Sequence, residues 1–196
     1  KIGFVAAGKN WLDLVHALDL LGIGAAEADR LGLTTYKVGQ VWPLDMDSFH
    51  DWAEGLDLIV CVEEKRKLIE VQVKEAIFDD RAGRRVYGWR KVAHGPELFP
   101  TRMSLDPVFI ARRLGEVLIE EGRGTDHVKA ALRCLDEAAK ADNAPDLAKR
   151  TPYFCSGCPH NSSTKLPEGS RAYAGIGCHY LVQWMDRDTV GFTQMG

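Results

Sequence analysis

Residues 1–96 alternate strand patterns with helix patterns, and this alternation constrains the fold more than any other feature. An apolar run begins at Ile2, and a second run, Leu58–Val62, is apolar throughout. Between them, apolar side chains at positions 11, 14, 15, 18 and 21 form the i, i+3, i+4, i+7 stripe of an amphipathic helix. Near-continuous apolar strands that alternate with helices are typical of a parallel sheet covered on both faces. We therefore predict a three-layer, mostly parallel α/β domain over residues 1–96.

The same patterns predict the individual elements of this domain. We expect strands at the chain start, 34–38, 58–62 and 85–89, and helices at 10–21, 27–31, 47–55 and 66–78. Asn10 is the predicted N-cap of the first helix. The first turn carries only Gly8, which does not make a dinucleotide fingerprint. The charged run Glu63–Arg66 favours a solvated helix start, with a subunit contact or an active-site role as the alternative.

Residues 97–150 change to a purely helical pattern. Asp106 and Pro107 predict the start of one helix, and Thr125 predicts the cap of a second, after the break at 122–124. The run 142–145 is expected to end that second helix. We predict a helical connector here, an αα-hairpin packed on a neighbouring element.

The segment 151–196 holds three of the five cysteines, as CSGCPHN (155–161) and GIGCH (175–179). Thiolates at this spacing can converge on one soft metal. An iron–sulfur cluster commonly uses four thiolates, a C-x-x-C pair with more distant partners. A zinc site could use Cys155, Cys158, Cys178 and either His160 or His179, and the spacing favours neither metal over the other. A thioredoxin-like redox pair is less favoured, because the surroundings are loop-rich.

The composition argues against two functional classes, broad nucleic-acid binders and membrane-spanning proteins. The net charge of −3 argues against broad nucleic-acid binding, and no apolar run approaches the roughly 20 residues of a membrane span. Five cysteines without an export signal favour a reducing compartment, so we predict a cytoplasmic protein. Cys61 and Cys134 are expected to be buried thiols. Both ends resemble interrupted strands, from which we expect an internal fragment of a longer polypeptide.

Three motifs extend the interpretation to a known family. The run YFCSGCPHN (153–161) with GIGC (175–178) resembles the opening of the thiamine-diphosphate domain of 2-oxoacid:ferredoxin oxidoreductases. The runs KVGQVWPL (37–44) and VCVEEKR (60–66) resemble the transketolase C-terminal-like domain that precedes it. Taken together, these motifs are most similar to the long, fused bacterial form of indolepyruvate:ferredoxin oxidoreductase. The segments 184–188 and 192–196 also resemble that form.

The resemblance implies a domain order and an activity. Residues 1–96 would be the transketolase C-terminal-like domain, 97–150 the connector, and 151–196 the incomplete start of the thiamine-diphosphate domain. The parent enzyme would oxidatively decarboxylate aryl 2-oxoacids to acyl-coenzyme A and reduce ferredoxin. Its cofactors would be thiamine diphosphate, Mg²⁺ and a [4Fe-4S] cluster. Its partners would be the rest of its own polypeptide, ferredoxin and a second copy in a homo-oligomer.

The resemblance also implies site residues. Cys155, Cys158 and Cys178 would supply cluster thiolates, His160 would contact cofactor or substrate, and Asn161 and Gly177 would bind the cofactor. We expect this stretch alone to be inactive and to bind no cofactor, because a fourth cysteine and the Gly-Asp-Gly segment for Mg²⁺ do not follow. The alternative is a non-catalytic α/β interaction module with a structural zinc site at its C-terminus.

Overall fold

The computed structural model describes residues 1–142, 150–185, 187 and 189–192. The chain divides into two compact units, Lys1–Asn143 and Ala144–Gly196. Parts of three predictions lie outside the described residues: the helix end at 142–145, the segment 184–188 and the segment 192–196. Each unit has its own apolar core.

The first unit is an α/β unit around a four-stranded parallel sheet, which confirms the predicted fold class. The spatial order of the strands is β2-β1-β3-β4. Ile2 of β1 aligns with Leu33 of β2 on one side and with Leu58 of β3 on the other. Its elements are β1 (Ile2–Ala7), α1 (Gly8–Leu20), α2 (Ala25–Leu31), β2 (Leu33–Val38), α3 (Met46–Ala53), β3 (Leu58–Cys61), α4 (Leu68–Ala76), β4 (Arg85–Tyr87), α5 (Pro107–Glu120) and α6 (Asp126–Asp142).

The two faces of the sheet bury different helices. Phe4 and Val60 point into one apolar cluster, which also contains side chains of α1, α2 and α5. Their neighbours Val5 and Ile59 point into a second cluster, with side chains of α3 and α4. Since successive strand residues face opposite sides, the unbroken apolar run of β3 follows from burial on both faces. The predicted three-layer arrangement is confirmed.

Helix α1 starts earlier than predicted. Its N-cap is Ala7, which has extended backbone angles and no side-chain capping bond, and Asn10 lies inside the helix. Asn10 is buried, and its Nδ2 donates to Glu64 Oε2 at 3.4 Å. The prediction of Asn10 as N-cap was wrong because its amide group is engaged by a residue 54 positions away instead.

The two helices predicted as a connector pack on the first unit. Ile110, Leu114 and Leu118 of α5 are fully buried in the cluster that contains Phe4, and α5 contacts α1. The predicted caps are confirmed: the Asp106 carboxylate accepts from Phe109 N at 2.9 Å, and the Thr125 hydroxyl accepts from Val128 N. The predicted domain boundary at residues 96–97 stays a prediction.

The two cysteines outside the motif differ in burial. Cys61 is fully buried on β3, as predicted, and burial raises the pKa of its thiol. Cys134 on α6 is exposed, so the prediction of a buried thiol there was wrong. The polar face of α6 carries it, because the apolar face of that helix, with Val128 and Leu132, packs on the core.

The second unit is small. Its elements are α7 (His160–Ser163), β5 (Ala172–Ala174), a 3-10 helix (Gly177–Trp184) and β6 (Thr189–Phe192), with β5 and β6 paired in parallel. Phe154, Ala174 and Val182 form the buried cluster among its described side chains. The predicted terminal strand is therefore present as β6. Within the described parts of the chain, no helix has the length and apolar character that crossing a membrane requires.

Candidate functional site

The C-x-x-C segment forms a tight turn that α7 follows directly. The backbone N–H of Cys158 donates to the carbonyl of Cys155 at 3.0 Å. Gly157 lies between them at φ +76°, a left-handed conformation that disfavours a residue with a Cβ. The Asn161 side chain donates from Nδ2 to the same Cys155 carbonyl at 3.0 Å. This turn fixes the two cysteines relative to each other.

His160 lies at the centre of the described contacts of this unit. Its Nδ1 is 3.2 Å from the Cys158 Sγ, and its ring stacks on Phe154 with centroids 5.2 Å apart. The ring of His179 lies 5.6 Å away, centroid to centroid. The structure thus brings one predicted thiolate, the predicted catalytic histidine and a second histidine into one cluster.

The second cysteine motif is positioned by a glycine. Gly177 has φ +73° and begins the 3-10 helix that carries Cys178 and His179. The backbone N–H of Gly175 donates to His179 Nδ1 at 2.8 Å. Because Nδ1 accepts, the neutral ring carries its proton on Nε2. The predicted cofactor role of Gly177 is untested, but its conformation accounts for a glycine at this position.

The cysteine and histidine side chains suit a soft metal by their chemistry. Among the described residues, however, no three His, Cys, Asp or Glu side chains are arranged to hold one metal ion. Cys155 and Cys178 are exposed, and Cys158 is half-buried. The residue types fit an iron–sulfur or zinc centre, and the assignment of Cys155, Cys158 and Cys178 as ligands stays a prediction.

Sequence reasoning missed a residue that holds the cysteine turn in place. The Arg187 guanidinium donates from Nη1 to the carbonyl of Asn161 at 3.0 Å and to the Thr164 hydroxyl at 2.8 Å. It also lies 5.7 Å from the centre of the Phe154 ring. Arg187 falls in a segment that carries the family resemblance, but no local pattern identifies its partners. Thr164 is buried and gave no sequence signal.

The charged run after β3 lies before α4, as predicted, but only its basic half is solvated: Lys65 and Arg66 are exposed, whereas Glu63 and Glu64 are partly buried. The Glu63 carboxylate accepts from the backbone N–H groups of Ile69, at 2.8 and 3.1 Å, and Glu70, at 3.3 Å, and thereby caps α4. Its burial raises its pKa. The Glu64 side chain is nearly buried and accepts from Leu105 N at 2.8 Å.

Two lysines complete the surroundings of Glu64. Lys9 Nζ lies 3.8 Å and Lys65 Nζ 3.3 Å from its carboxylate oxygens. Burial acts to raise the pKa of Glu64, but the Leu105 N–H, Lys65, Asn10 and Lys9 outweigh it and lower the pKa. This carboxylate, which follows β3, therefore links the start of α1 to the segment before α5.

The fold and the site define an α/β protein whose parallel four-stranded unit is followed by a cysteine- and histidine-rich unit. Residues 1–142 match the family model described as the indolepyruvate oxidoreductase domain. The chain belongs to this family. The match covers the complete parallel sheet and helices α1 to α6, so it rests on the first unit alone.

Named relatives extend the similarity beyond residue 142. The chain is 24% identical over 193 residues to indolepyruvate oxidoreductase subunit IorA of Thermococcus kodakarensis, and 25% identical over 192 residues to the protein of that name from Pyrococcus abyssi. Each comparison covers 92% of the chain and 26% of the relative. The chain thus spans about a quarter of the length of the curated relatives it matches. No solved structure matches significantly.

Proposed function

We propose that this chain is part of an enzyme that oxidatively decarboxylates aryl 2-oxoacids, with indolepyruvate as the substrate type and ferredoxin as the electron acceptor. The acyl group would pass to coenzyme A. In this proposal the first unit is a structural α/β domain, and the second unit begins the part that holds thiamine diphosphate with Mg²⁺ and an iron–sulfur cluster.

One observation carries the proposal. A unit that belongs to the indolepyruvate oxidoreductase family is followed in the same chain by three thiols and two imidazoles within 25 residues, Cys155 to His179. The first unit points to the reaction family, and the second contains thiol and imidazole side chains of the types that bind iron–sulfur clusters. The similarity to the archaeal relatives covers most of the chain and so reaches into the second unit.

The chain's own residues have separate parts in this proposal. Cys155, Cys158 and Cys178 bind the cluster as thiolates. The Asn161 amide donates to the Cys155 carbonyl and so supports the C-x-x-C turn. His160 lies beside Cys158, where it would contact cofactor or substrate. When bound, thiamine diphosphate supplies the carbanion-stabilising group and the cluster supplies one-electron transfer.

Cysteine variants of the complete protein test the cluster ligands. We expect Cys155→Ser and Cys178→Ser to lose iron, acid-labile sulfide and visible absorption, and to lose ferredoxin reduction that depends on indolepyruvate and coenzyme A. Cys134→Ser is the matched control, because this exposed thiol on α6 lies outside the motif. It should retain the iron content and the activity of the wild type.

Two results would contradict the proposal in different ways. A colourless wild-type protein with stoichiometric zinc that is lost in Cys155→Ser would favour the non-catalytic module with a structural zinc site. An iron-containing wild type that oxidises no aryl 2-oxoacid in the presence of thiamine diphosphate, Mg²⁺ and coenzyme A would keep the cluster but refute the reaction.

A further inference from the structure

The second unit contains a cavity of about 590 Å³. This volume lies in the range of small-molecule sites in proteins. Two cavities in the first unit are smaller, at about 240 and 180 Å³. The larger cavity is lined by Arg150, Thr151, Pro152, Tyr153 and Leu181. It therefore has room for a ligand with a bicyclic aromatic ring.

The polar side of this cavity is cationic. Arg150 is exposed, and among the described residues no carboxylate pairs with it. By contrast, the Arg187 guanidinium in the same unit is engaged by Asn161 and Thr164. A guanidinium presents a planar pair of donors that matches a carboxylate group. The exposed Arg150 guanidinium is thus accessible to the carboxylate of a ligand.

The other side of the cavity is apolar. The Tyr153 side chain is 81% exposed, although its large ring would normally gain free energy from burial. Pro152 and the half-buried Leu181 add aliphatic surface beside it. An aromatic ring stacked on Tyr153 would cover this surface, and offset or edge-on aromatic pairs are favourable beyond the area that they bury. The chemistry of the cavity fits a flat apolar molecule that carries a carboxylate.

The cavity is also continuous with the cysteine site along the chain. Tyr153 precedes Phe154, whose ring stacks on His160. Leu181 lies on the 3-10 helix that begins at Gly177 and includes Cys178. A ligand that contacts Tyr153 and Leu181 would touch both segments that carry the cysteine motifs.

We propose that this cavity is the subsite for the aryl 2-oxoacid, in which Arg150 binds the carboxylate and Tyr153 and Leu181 contact the aromatic ring. The identity of the acid rests on the proposed function, whereas the preference for an aromatic carboxylate rests on the cavity itself. Arg150 is then the positioning residue for the substrate, and Tyr153 selects aryl over short aliphatic 2-oxoacids.

Two measurements on the complete protein test the subsite. The first is the binding of 3-phenyllactate, a non-reacting aromatic carboxylate, by isothermal titration calorimetry. The second is steady-state turnover with indolepyruvate and with pyruvate. We expect Arg150→Gln to raise the Kd of phenyllactate and the KM of indolepyruvate about tenfold or more, because one charge-assisted, bidentate contact is lost. Arg150→Lys should recover part of the loss.

The ring contact gives a separate readout. Tyr153→Ala should raise the KM for indolepyruvate several-fold and leave the KM for pyruvate nearly unchanged. The matched controls are Arg171→Gln and Tyr173→Ala, since these are an exposed guanidinium and a half-exposed ring of the same unit that do not line the cavity. Both controls should behave as the wild type. Circular dichroism and iron content show whether each variant is folded.

The outcomes separate this inference from the proposed function. If the wild type turns over indolepyruvate and folded Arg150→Gln and Tyr153→Ala bind phenyllactate as the wild type does, the subsite is refuted and the function stands. If no aryl 2-oxoacid is oxidised but phenyllactate binding depends on Arg150, the function fails and the subsite stands. Failure of the wild type to bind phenyllactate overturns the subsite directly.

Discussion

Truncation of Leu114 to alanine should destabilise the parallel sheet as well as the helix that carries it. Leu114 is fully buried on α5, in the cluster that also holds Phe4 of β1 and Val60 of β3. The substitution removes three carbons, each worth about 0.8 kcal/mol of burial, and the cavity left behind raises the total to about 3 kcal/mol. Because α5 and the sheet share one core, the unfolding free energy of the whole first unit should fall by this amount.

Hydrogen exchange measured peptide by peptide is the appropriate assay, because the second unit complicates a single unfolding curve. In Leu114→Ala, the slowest amides of β1 and of α5 should both exchange on the order of a hundredfold faster, which corresponds to about 3 kcal/mol. Val108→Ala is the control on the same helix. Its side chain is 38% exposed, so we expect a loss of about 1 kcal/mol or less.

One pattern would refute this reasoning. If the α5 amides exchange faster in Leu114→Ala while those of β1 keep their wild-type protection, the helix pair opens independently of the sheet. Residues 97–150 would then be a separable connector, as the sequence pattern predicts. Equal acceleration in both elements would instead place α5 in the cooperative unit of the sheet.

Three further substitutions test two polar contacts and one close approach in the first unit. The bidentate contact with Arg85 lowers the pKa of Glu121. The contact should therefore stabilise the fold by about 1 kcal/mol above the ordinary pKa of 4.5, and this stabilisation should be lost as the pH falls through the folded pKa. The difference in unfolding free energy between wild type and Glu121→Gln should shrink over the same pH range. Glu64→Ala leaves a part-buried N–H before α5 without its acceptor, at a cost of about 1–3 kcal/mol measured by urea unfolding, whereas Glu64→Gln should cost less. In Gly88→Ala the new Cβ would lie 2.5 Å from Glu70 Oε2, which should lower the melting temperature by several degrees.

Each of these substitutions has an outcome that would count against its physical basis. A difference between wild type and Glu121→Gln that does not change below pH 4.5 would show that the ion pair contributes nothing measurable. Equal losses in the two Glu64 variants would assign the effect to charge rather than to the lost acceptor. Gly39→Ala is the control for Gly88→Ala, since the space around Gly39 is open, and equal effects would remove the steric argument.

The architecture of the first unit could be predicted because its signals are local. Strand β3 is recognisable from an unbroken apolar run, and α5 from the Asp106–Pro107 start and the spacing of its apolar residues. The same reasoning failed at Asn10, which has the residue type of an N-cap. The side chain of Asn10 is bound by Glu64, and such a long-range partner leaves no trace in the local pattern.

The charged run Glu63–Arg66 also has contacts that its local sequence pattern does not predict. Acidic residues before a helix are usually solvated, so the sequence favoured an exposed run. In the structure, Glu63 caps α4 and Glu64 holds the segment before α5. The Glu63 contact is local, six residues along the chain, whereas the Glu64 contact joins residues 41 positions apart. Charge patterning alone cannot distinguish a solvated acidic pair from one that connects helices.

In the cysteine site, too, the local turn could be predicted from the sequence, but the long-range contacts that support it could not. The C-x-x-C spacing and Gly157 could be read from the sequence, since the turn forms within four residues. The support of that turn is not local: the Arg187 guanidinium holds the Asn161 carbonyl, and the Asn161 amide holds the Cys155 carbonyl. Among the described residues of the second unit, the apolar core consists of three buried side chains. These polar contacts therefore contribute a large part of what positions Cys155, and loss of Arg187 should disturb the cysteine turn before it disturbs the strands.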